Sequence, residues 1–223
     1  HTTGHTPTQM THCQSNEYEI IARYLAHIGR LDKPTFIDIG AGDGFRLSNT
    51  RDLIERHGAT GLLIDADNGG NPDVHQAFVT VENVGMDVVL RWMAIYADGP
   101  NAELDFLSID IDGNDYWILK EVLKFGQPRL IMAEVNTRFH SAEEAFTVPY
   151  EPNRTWNNDD HFGMSFGAFR KLMEANGYTV VHMEGINALA MRNDLVRPDT
   201  PISINYAYSF GHKPNTTAPW VAV

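Results

Sequence analysis

One feature limits what this chain can fold into more than any other: a short apolar strand that runs straight into alternating glycines and then into a helix. Thr35-Phe36-Ile37-Asp38-Ile39 is followed at once by Gly40-Ala41-Gly42-Asp43-Gly44, and Leu47, Leu53 and Ile54 mark a helix that finishes near His57-Gly58. Glycine lacks a Cβ, so the backbone at such a junction can take positive φ and approach a ligand closely. In open α/β sheets that junction lies at the carboxyl ends of the strands, where ligands bind. The unit therefore predicts a strand, a ligand-binding loop and a helix in succession.

The rest of the chain continues the alternation. Apolar spacing predicts a leading helix over 16–28, strands over 61–64 and 77–81, and a helix-like segment over 84–96. A fourth strand follows over 105–111, a helix over 116–125, a fifth strand over 129–135, a helix over 165–176, and strands over 178–183 and 188–192. Parallel strands need crossover connections, which are usually helices. The expected fold is thus α/β: a doubly wound, mostly parallel seven-stranded sheet with helices on both faces, Rossmann-like in architecture. Residues 1–15 read as an N-terminal tail and 16–223 as one domain, since 223 residues lie below the length at which chains usually split. Residues 137–162, with Pro149 and Pro152, break the rhythm and predict a long irregular loop of the kind that is usually functional.

Charge narrows the partners. Lys and Arg total 17 against 29 Asp and Glu, a net charge of −12, which disfavours nucleic acid and anionic membrane surfaces. No apolar run approaches the roughly 20 residues of a membrane span, and the start of the sequence lacks a basic, apolar leader. The single cysteine, Cys13, has no internal partner for a disulfide. A reducing, cytoplasmic setting is the expectation.

The glycine loop itself excludes some ligands. A dinucleotide fingerprint needs Gly-x-Gly-x-x-Gly, and counting from Gly40 places Phe45 at the third glycine position. An acidic residue, Asp38, opens the loop and suits an ammonium-bearing ligand better than a pyrophosphate. This resembles the first motif of class I methyltransferases and implies S-adenosylmethionine as cofactor, held by Asp38, Gly40, Gly42 and Asp43; an ordinary glycine turn is the alternative. Asp65, directly after Leu62-Leu63-Ile64, is placed to accept ribose hydroxyls, with Asp67 as its competitor. Asn83 and Val84 follow the third expected strand, where methyltransferases commonly contact adenine.

Several blocks together are similar to the FkbM family of methyltransferases: residues 38–44, Leu47-Ser48-Asn49-Thr50, Leu63-Ile64-Asp65, residues 107–117, Ala133-Glu134-Val135-Asn136, and the later 161–165 and Asn187-Ala188. The resemblance implies methylation of hydroxyl oxygens on sugars and other natural products, with Ser48 and Asp110 among the cofactor contacts. The departure is Asp65, where many members carry Glu.

Asp110 closes the fourth strand, and Glu134 and Asn136 close the fifth, so all three are expected above neighbouring strand ends. Two carboxylates and an amide oxygen suit Mg²⁺, with Asp112 or Asp115 as substitutes. Against this stands a structural reading in which Asp110 caps the next helix and Glu134 pairs with a basic neighbour. His140, at the start of the irregular loop, is the candidate general base beside Asp110, and His161 competes. Tyr150, Arg154 and Trp156 suit a sugar or polysaccharide acceptor, whereas the same loop packed against a second copy of the chain would make a homodimer. Rival functions are methylation of a catechol-like or macrolide acceptor and a non-catalytic binding module of the same fold.

Overall fold

The computed structural model describes residues 16–96, 102–206 and 218–223; the expected tail 1–15, Cys13 included, lies outside the described residues. Helix α1 (Glu17–His27) presents Ile20, Ile21, Tyr24 and Leu25 to the core at helical spacing. The Tyr24 hydroxyl is within hydrogen-bond distance, 2.9 Å, of the carbonyls of both Val181 and Pro201, which ties this helix to the far side of the sheet. Next come β1 (Thr35–Ile39), α2 (Arg51–His57), β2 (Thr60–Asp65) and β3 (Val74–Gln76). A π-helical turn, Gly85–Leu90, runs into α3 (Arg91–Tyr96), followed by β4 (Phe106–Ile109), α4 (Asp115–Val122) and β5 (Leu130–Glu134). The chain continues through β6 (Phe146–Thr147), α5 (Phe166–Ala175), β7 (Tyr178–Glu184), β8 (Asn187–Arg192), β9 (Ser203–Ile204) and β10 (Val221–Ala222).

Eight strands share one sheet in the order β3-β2-β1-β4-β5-β8-β7-β9. The first five are parallel, β8 runs antiparallel to both neighbours, and β9 is parallel to β7. The count is eight rather than the expected seven because the short edge strand β9 joins the sheet. The third strand also sits earlier than expected, at Val74–Gln76 rather than 77–81. Its displacement has a local cause: the Asn83 side chain accepts from the Thr80 backbone N–H (2.7 Å) and donates to the Phe78 carbonyl (2.8 Å), giving these groups partners a ladder would otherwise supply.

Alternation along the central strands sorts the core into two layers. Ile37, Ile39, Leu107 and Ile109 belong to one buried cluster with Ile118 and Leu119 of α4 and Phe169 and Leu172 of α5. Phe36, Leu63, Phe106 and Leu130 belong to the other, with residues of α1 and with Leu53 of α2. Helices therefore cover both faces, as a mostly parallel sheet requires. From β1 the chain runs outward through β2 and β3, then returns to place β4 on the other side of β1. That reversal opens a crevice at the carboxyl ends of β1 and β4.

The opposite end of the sheet is closed by charge pairing. Asp105, fully buried just before β4, receives a two-pronged bond from Arg30 (2.7 and 3.1 Å) and another from the Thr35 backbone N–H (2.9 Å). Arg129 lies 3.1 Å from the same carboxylate.

Candidate functional site

A cavity of about 570 Å³ occupies the crevice above β1, β2, β4 and β5. Gly40, Ala41 and Gly42 form part of its wall, together with Asp65, Asp110, Asp112 and Glu134. The two glycines have different reasons to be glycine. A Cβ on Gly40 (φ 91°) would sit 1.7 Å from the Asp110 carbonyl oxygen, so this position lets β1 and β4 close together. A Cβ on Gly42 (φ 55°) would meet nothing within 4 Å, so here the backbone stands open to the cavity. Asp65 holds the loop in place by accepting from the Gly42 N–H (2.8 Å), and its other oxygen accepts from the Asp67 N–H (2.8 Å). Asp67 is not in the cavity wall.

Asp38 and Ser48 lie beneath the loop rather than in the cavity wall. Asp38 is buried and accepts from the Thr50 hydroxyl at 2.7 Å, while Ser48 Oγ accepts from the Arg51 N–H at the start of α2 (3.1 Å). Burial pushes the Asp38 carboxyl up to about 6, against the opposing effect of the Thr50 hydrogen bond. Asp43 turns outward and accepts from the N–H groups of Phe45 and Arg46 (2.9 and 2.8 Å), the Arg46 bond being the main cause that lowers its pKa. Val84 is wholly buried in the core, and Asn83 acts on the wall indirectly by shaping the 78–80 segment. Ala77, Phe78 and Val79 form that wall instead.

Facing the glycine loop, Asp110, Asp112 and Glu134 each bring a carboxylate oxygen within 4.8 Å of the others. Asp112 reaches the group from a left-handed backbone (φ 52°), a conformation that costs a non-glycine residue roughly 1–2 kcal/mol. The turn is held by the buried Asp115 carboxylate, which accepts from the N–H groups of Ile111 (2.9 Å) and Gly113 (2.8 Å). Burial first, then repulsion from Asp115 and Asp112, raises Asp110 to about 7. Glu134 is raised further, by burial and by the surrounding Asp110, Asp112 and Asp115 carboxylates. The charges acting most strongly on Asp110 and Glu134 are thus other carboxylates.

Asn136 does not join this group. It is fully buried, its amide nitrogen donates to the carbonyls of Asp160 (3.0 Å) and Phe162 (3.1 Å), and its oxygen accepts from the Arg138 N–H (3.1 Å). All its hydrogen-bonding atoms are thereby spent on closing the irregular loop, and Asp112 stands in the place expected for it. Neither histidine reaches the cavity. His140 is exposed and outside the wall. His161 has Nδ1 2.8 Å from Arg154 and Nε2 3.0 Å from the Pro219 carbonyl, so with the proton on Nε2 both ring nitrogens are engaged. The loop does deliver Arg154, Thr155 and Trp156 to the wall. Tyr150 instead donates to Glu82 at 2.6 Å.

Asn187 is one of the wall residues to which sequence reasoning assigned no role. It is the first residue of β8, and β8 is antiparallel, so its amino end lies at the same edge as the carboxyl ends of the parallel strands.

No family model matches the chain, and no curated protein matches it in sequence. Solved structures of similar fold include the N-terminal domain of EvdMO1, determined in the presence of SAH and D-fucose. It is 12% identical over 80% of this chain and 81% of that one, with a TM-score of 0.44. A putative O-methyltransferase from Klebsiella pneumoniae is 19% identical over 84% and 83%, TM-score 0.43. Magnesium protoporphyrin IX methyltransferase (ChlM) from Synechocystis PCC 6803 with bound SAM is 12% identical over 86% of each chain, TM-score 0.40. Likenesses this distant assign no function to the chain.

Proposed function

We propose that the chain is an S-adenosylmethionine-dependent O-methyltransferase acting on a hydroxyl of a sugar or polysaccharide. The observation that carries this reading is the composition of one crevice: an open glycine backbone at Gly42 faces four carboxylates, Asp65, Asp110, Asp112 and Glu134. Pyrophosphate would be repelled there, whereas a donor carrying a sulfonium and an ammonium group is attracted. Asp65 supplies the carboxylate for the ribose, and Ala77, Phe78 and Val79 offer an apolar wall for a flat base. The sugar acceptor follows from the FkbM resemblance and from the cavity face that Arg154 and Trp156 provide.

In the transfer, the sulfonium–carbon bond breaks as the carbon–oxygen bond forms, and the hydroxyl proton passes to a carboxylate. Asp110 is the member of the acidic group beside the glycine loop, its backbone N–H bonded to the Ile39 carbonyl at 2.9 Å. Holding donor and acceptor in line supplies much of the acceleration. The donor set, all hard oxygen, also fits Mg²⁺, to be held by Asp110, Asp112 and Glu134. Such an ion would lower the pKa of the hydroxyl, so that its proton passes to the carboxylate more readily.

Titration calorimetry with S-adenosylmethionine, followed by an acceptor panel of glycosides, catechols and macrolides with and without Mg²⁺, tests the reading. Binding of the cofactor and turnover of a glycoside are expected. Gly42→Ala should keep the fold and lose at least about tenfold in cofactor affinity, because the added methyl enters the space the cofactor needs. Unchanged affinity in that variant would remove the basis for the assignment.

A further inference from the structure

Asn187 is 7% exposed, lines the cavity, and donates its amide nitrogen to Glu17 Oε1 at 2.9 Å. Glu17 is itself 2% exposed, at the first position of α1. An ionised carboxylate only accepts hydrogen bonds, so Glu17 fixes which way the amide is turned. The nitrogen faces α1, and the oxygen is left for the cavity.

That orientation matters because of what lies opposite. Asn187 and Glu134 are direct partners in the antiparallel β5–β8 ladder. Directly opposed residues put their side chains on the same face, with Cβ atoms roughly 4.5–5.5 Å apart. An asparagine beside Asp110, Asp112 and Glu134 would ordinarily turn its N–H₂ toward them, since three acceptors call for a donor. Here Glu17 holds the donor end away and an acceptor faces acceptors. Such an arrangement is favourable when a proton or a cation stands among the oxygens, and an amide oxygen added to three carboxylates is a donor set that suits a hard cation.

We propose that the Asn187 carbonyl oxygen is the fourth protein oxygen of a divalent-cation site completed by Asp110, Asp112 and Glu134, with Glu17 as its positioning residue. Four protein oxygens leave two positions of an octahedron for two neighbouring oxygens of an acceptor. The inference rests on the cation part of the proposed function and extends it to a strand whose amino end, rather than its carboxyl end, reaches the site.

Mn²⁺, followed by electron paramagnetic resonance and calorimetry on the full chain without cofactor, is the probe. The wild type is expected to bind one ion, and Glu134→Gln to weaken it strongly. Asn187→Ala should weaken it by about tenfold or more. Glu17→Gln should weaken it by roughly 10- to 100-fold, the usual effect of losing a residue that orients a ligand, because a glutamine lets the Asn187 amide turn round. The exchange variant Glu17→Gln/Asn187→Asp restores an oxygen facing the carboxylates, with glutamine now the donor, and should recover Mn²⁺ binding. A purely structural role for the pair predicts no such recovery.

The outcomes separate. No Mn²⁺ binding by the wild type overturns both the cation reading and this inference. Wild-type binding that Glu134→Gln weakens and Asn187→Ala leaves unchanged overturns the inference alone. Failure of the exchange variant to recover binding overturns the role of Glu17. Should a single variant fail to fold, the exchange variant decides, since it keeps one hydrogen bond and the same total charge.

Discussion

Strand β4 has a buried or half-buried aspartate at each end, and the two ends are built differently. Asp105, at the start, has its charge matched by Arg30 and Arg129 and its remaining capacity taken by the Thr35 N–H. Asp110, at the finish, stands among Asp112, Asp115 and Glu134, and among the described residues no cation is one of the main influences on it. Only the four residues of β4 separate them. The matched carboxylate closes the sheet, while the unmatched group has a cost that a ligand can relieve, which is the mark of a site rather than a clasp.

The largest expected effect comes from breaking the matched end. Asp105→Ala leaves the Thr35 N–H without its acceptor and takes the buried carboxylate from Arg30 and Arg129, of which Arg129 keeps Glu103, and should lower the unfolding free energy by about 3–5 kcal/mol. Denaturant midpoints measure it directly. A loss under about 1 kcal/mol would show that Arg30, which is 44% exposed, resolvates freely and that the pairing carries little.

At the unmatched end the sign reverses. Glu134→Gln removes a carboxyl that the folded state can keep at pH 8 only by taking up a proton, so the cofactor-free protein should become more stable at pH 8 while turnover falls by roughly 10²- to 10⁴-fold. Lower stability together with lost turnover would mean that the carboxylate holds the fold, and the contrast between the two ends would collapse.

The pH dependence sharpens the same contrast. Asp38 is raised by burial to about 6 and Asp110 to about 7, with Asp115 and Glu134 also raised. Groups with raised pKa bind protons more tightly in the folded state. Their contribution is therefore greatest below the unfolded values and is lost as pH rises through the folded ones. The cofactor-free protein should unfold at a temperature roughly 5–10 °C higher at pH 5 than at pH 8. Carboxylates with lowered values, such as Asp43 and Asp194, titrate below this window, while His75 and His182, both lowered by burial, favour the higher pH and reduce the slope without reversing it. Asp38→Asn keeps an acceptor for Thr50 and should flatten part of the slope. A midpoint that climbs steadily toward pH 8 would refute the electrostatic picture.

What the sequence discloses follows from which contacts are local. The strands β1, β2, β4 and β5 and the glycine loop are legible because apolar runs and glycine spacing act within a few residues. Asp110 and Glu134 are legible as strand-end carboxylates. Asn136 is not, because an amide at a strand end serves a ligand and a loop carbonyl equally well, and the choice was made by Asp160 and Phe162, more than twenty positions away. Asn187 is hidden for a topological reason: reading only the carboxyl ends of strands overlooks β8, which meets that edge by its amino end. The displaced β3 belongs to the same class, since Asn83 redirected a segment whose composition suits a ladder.

The smallest effect is expected at His140. Its residue type and its position at the head of the irregular loop mark it as a general base, and such a base is worth roughly 10²- to 10⁴-fold in maximal rate. The geometry argues otherwise, because His140 is exposed and outside the cavity wall, while Asp110 is inside it. His140→Ala should therefore retain a rate within about threefold of the wild type, with the Michaelis constant for the acceptor changed little. The pH profile gives a second reading: an essential base at His140 contributes a limb that would vanish in the variant. An unaltered profile places proton removal with the acidic group. A fall of a hundredfold with the limb lost, and with the Michaelis constant preserved, would instead mean that the loop carries His140 over the crevice when the acceptor binds. The unmatched carboxylates would then serve to hold the cation and the acceptor rather than to take the proton.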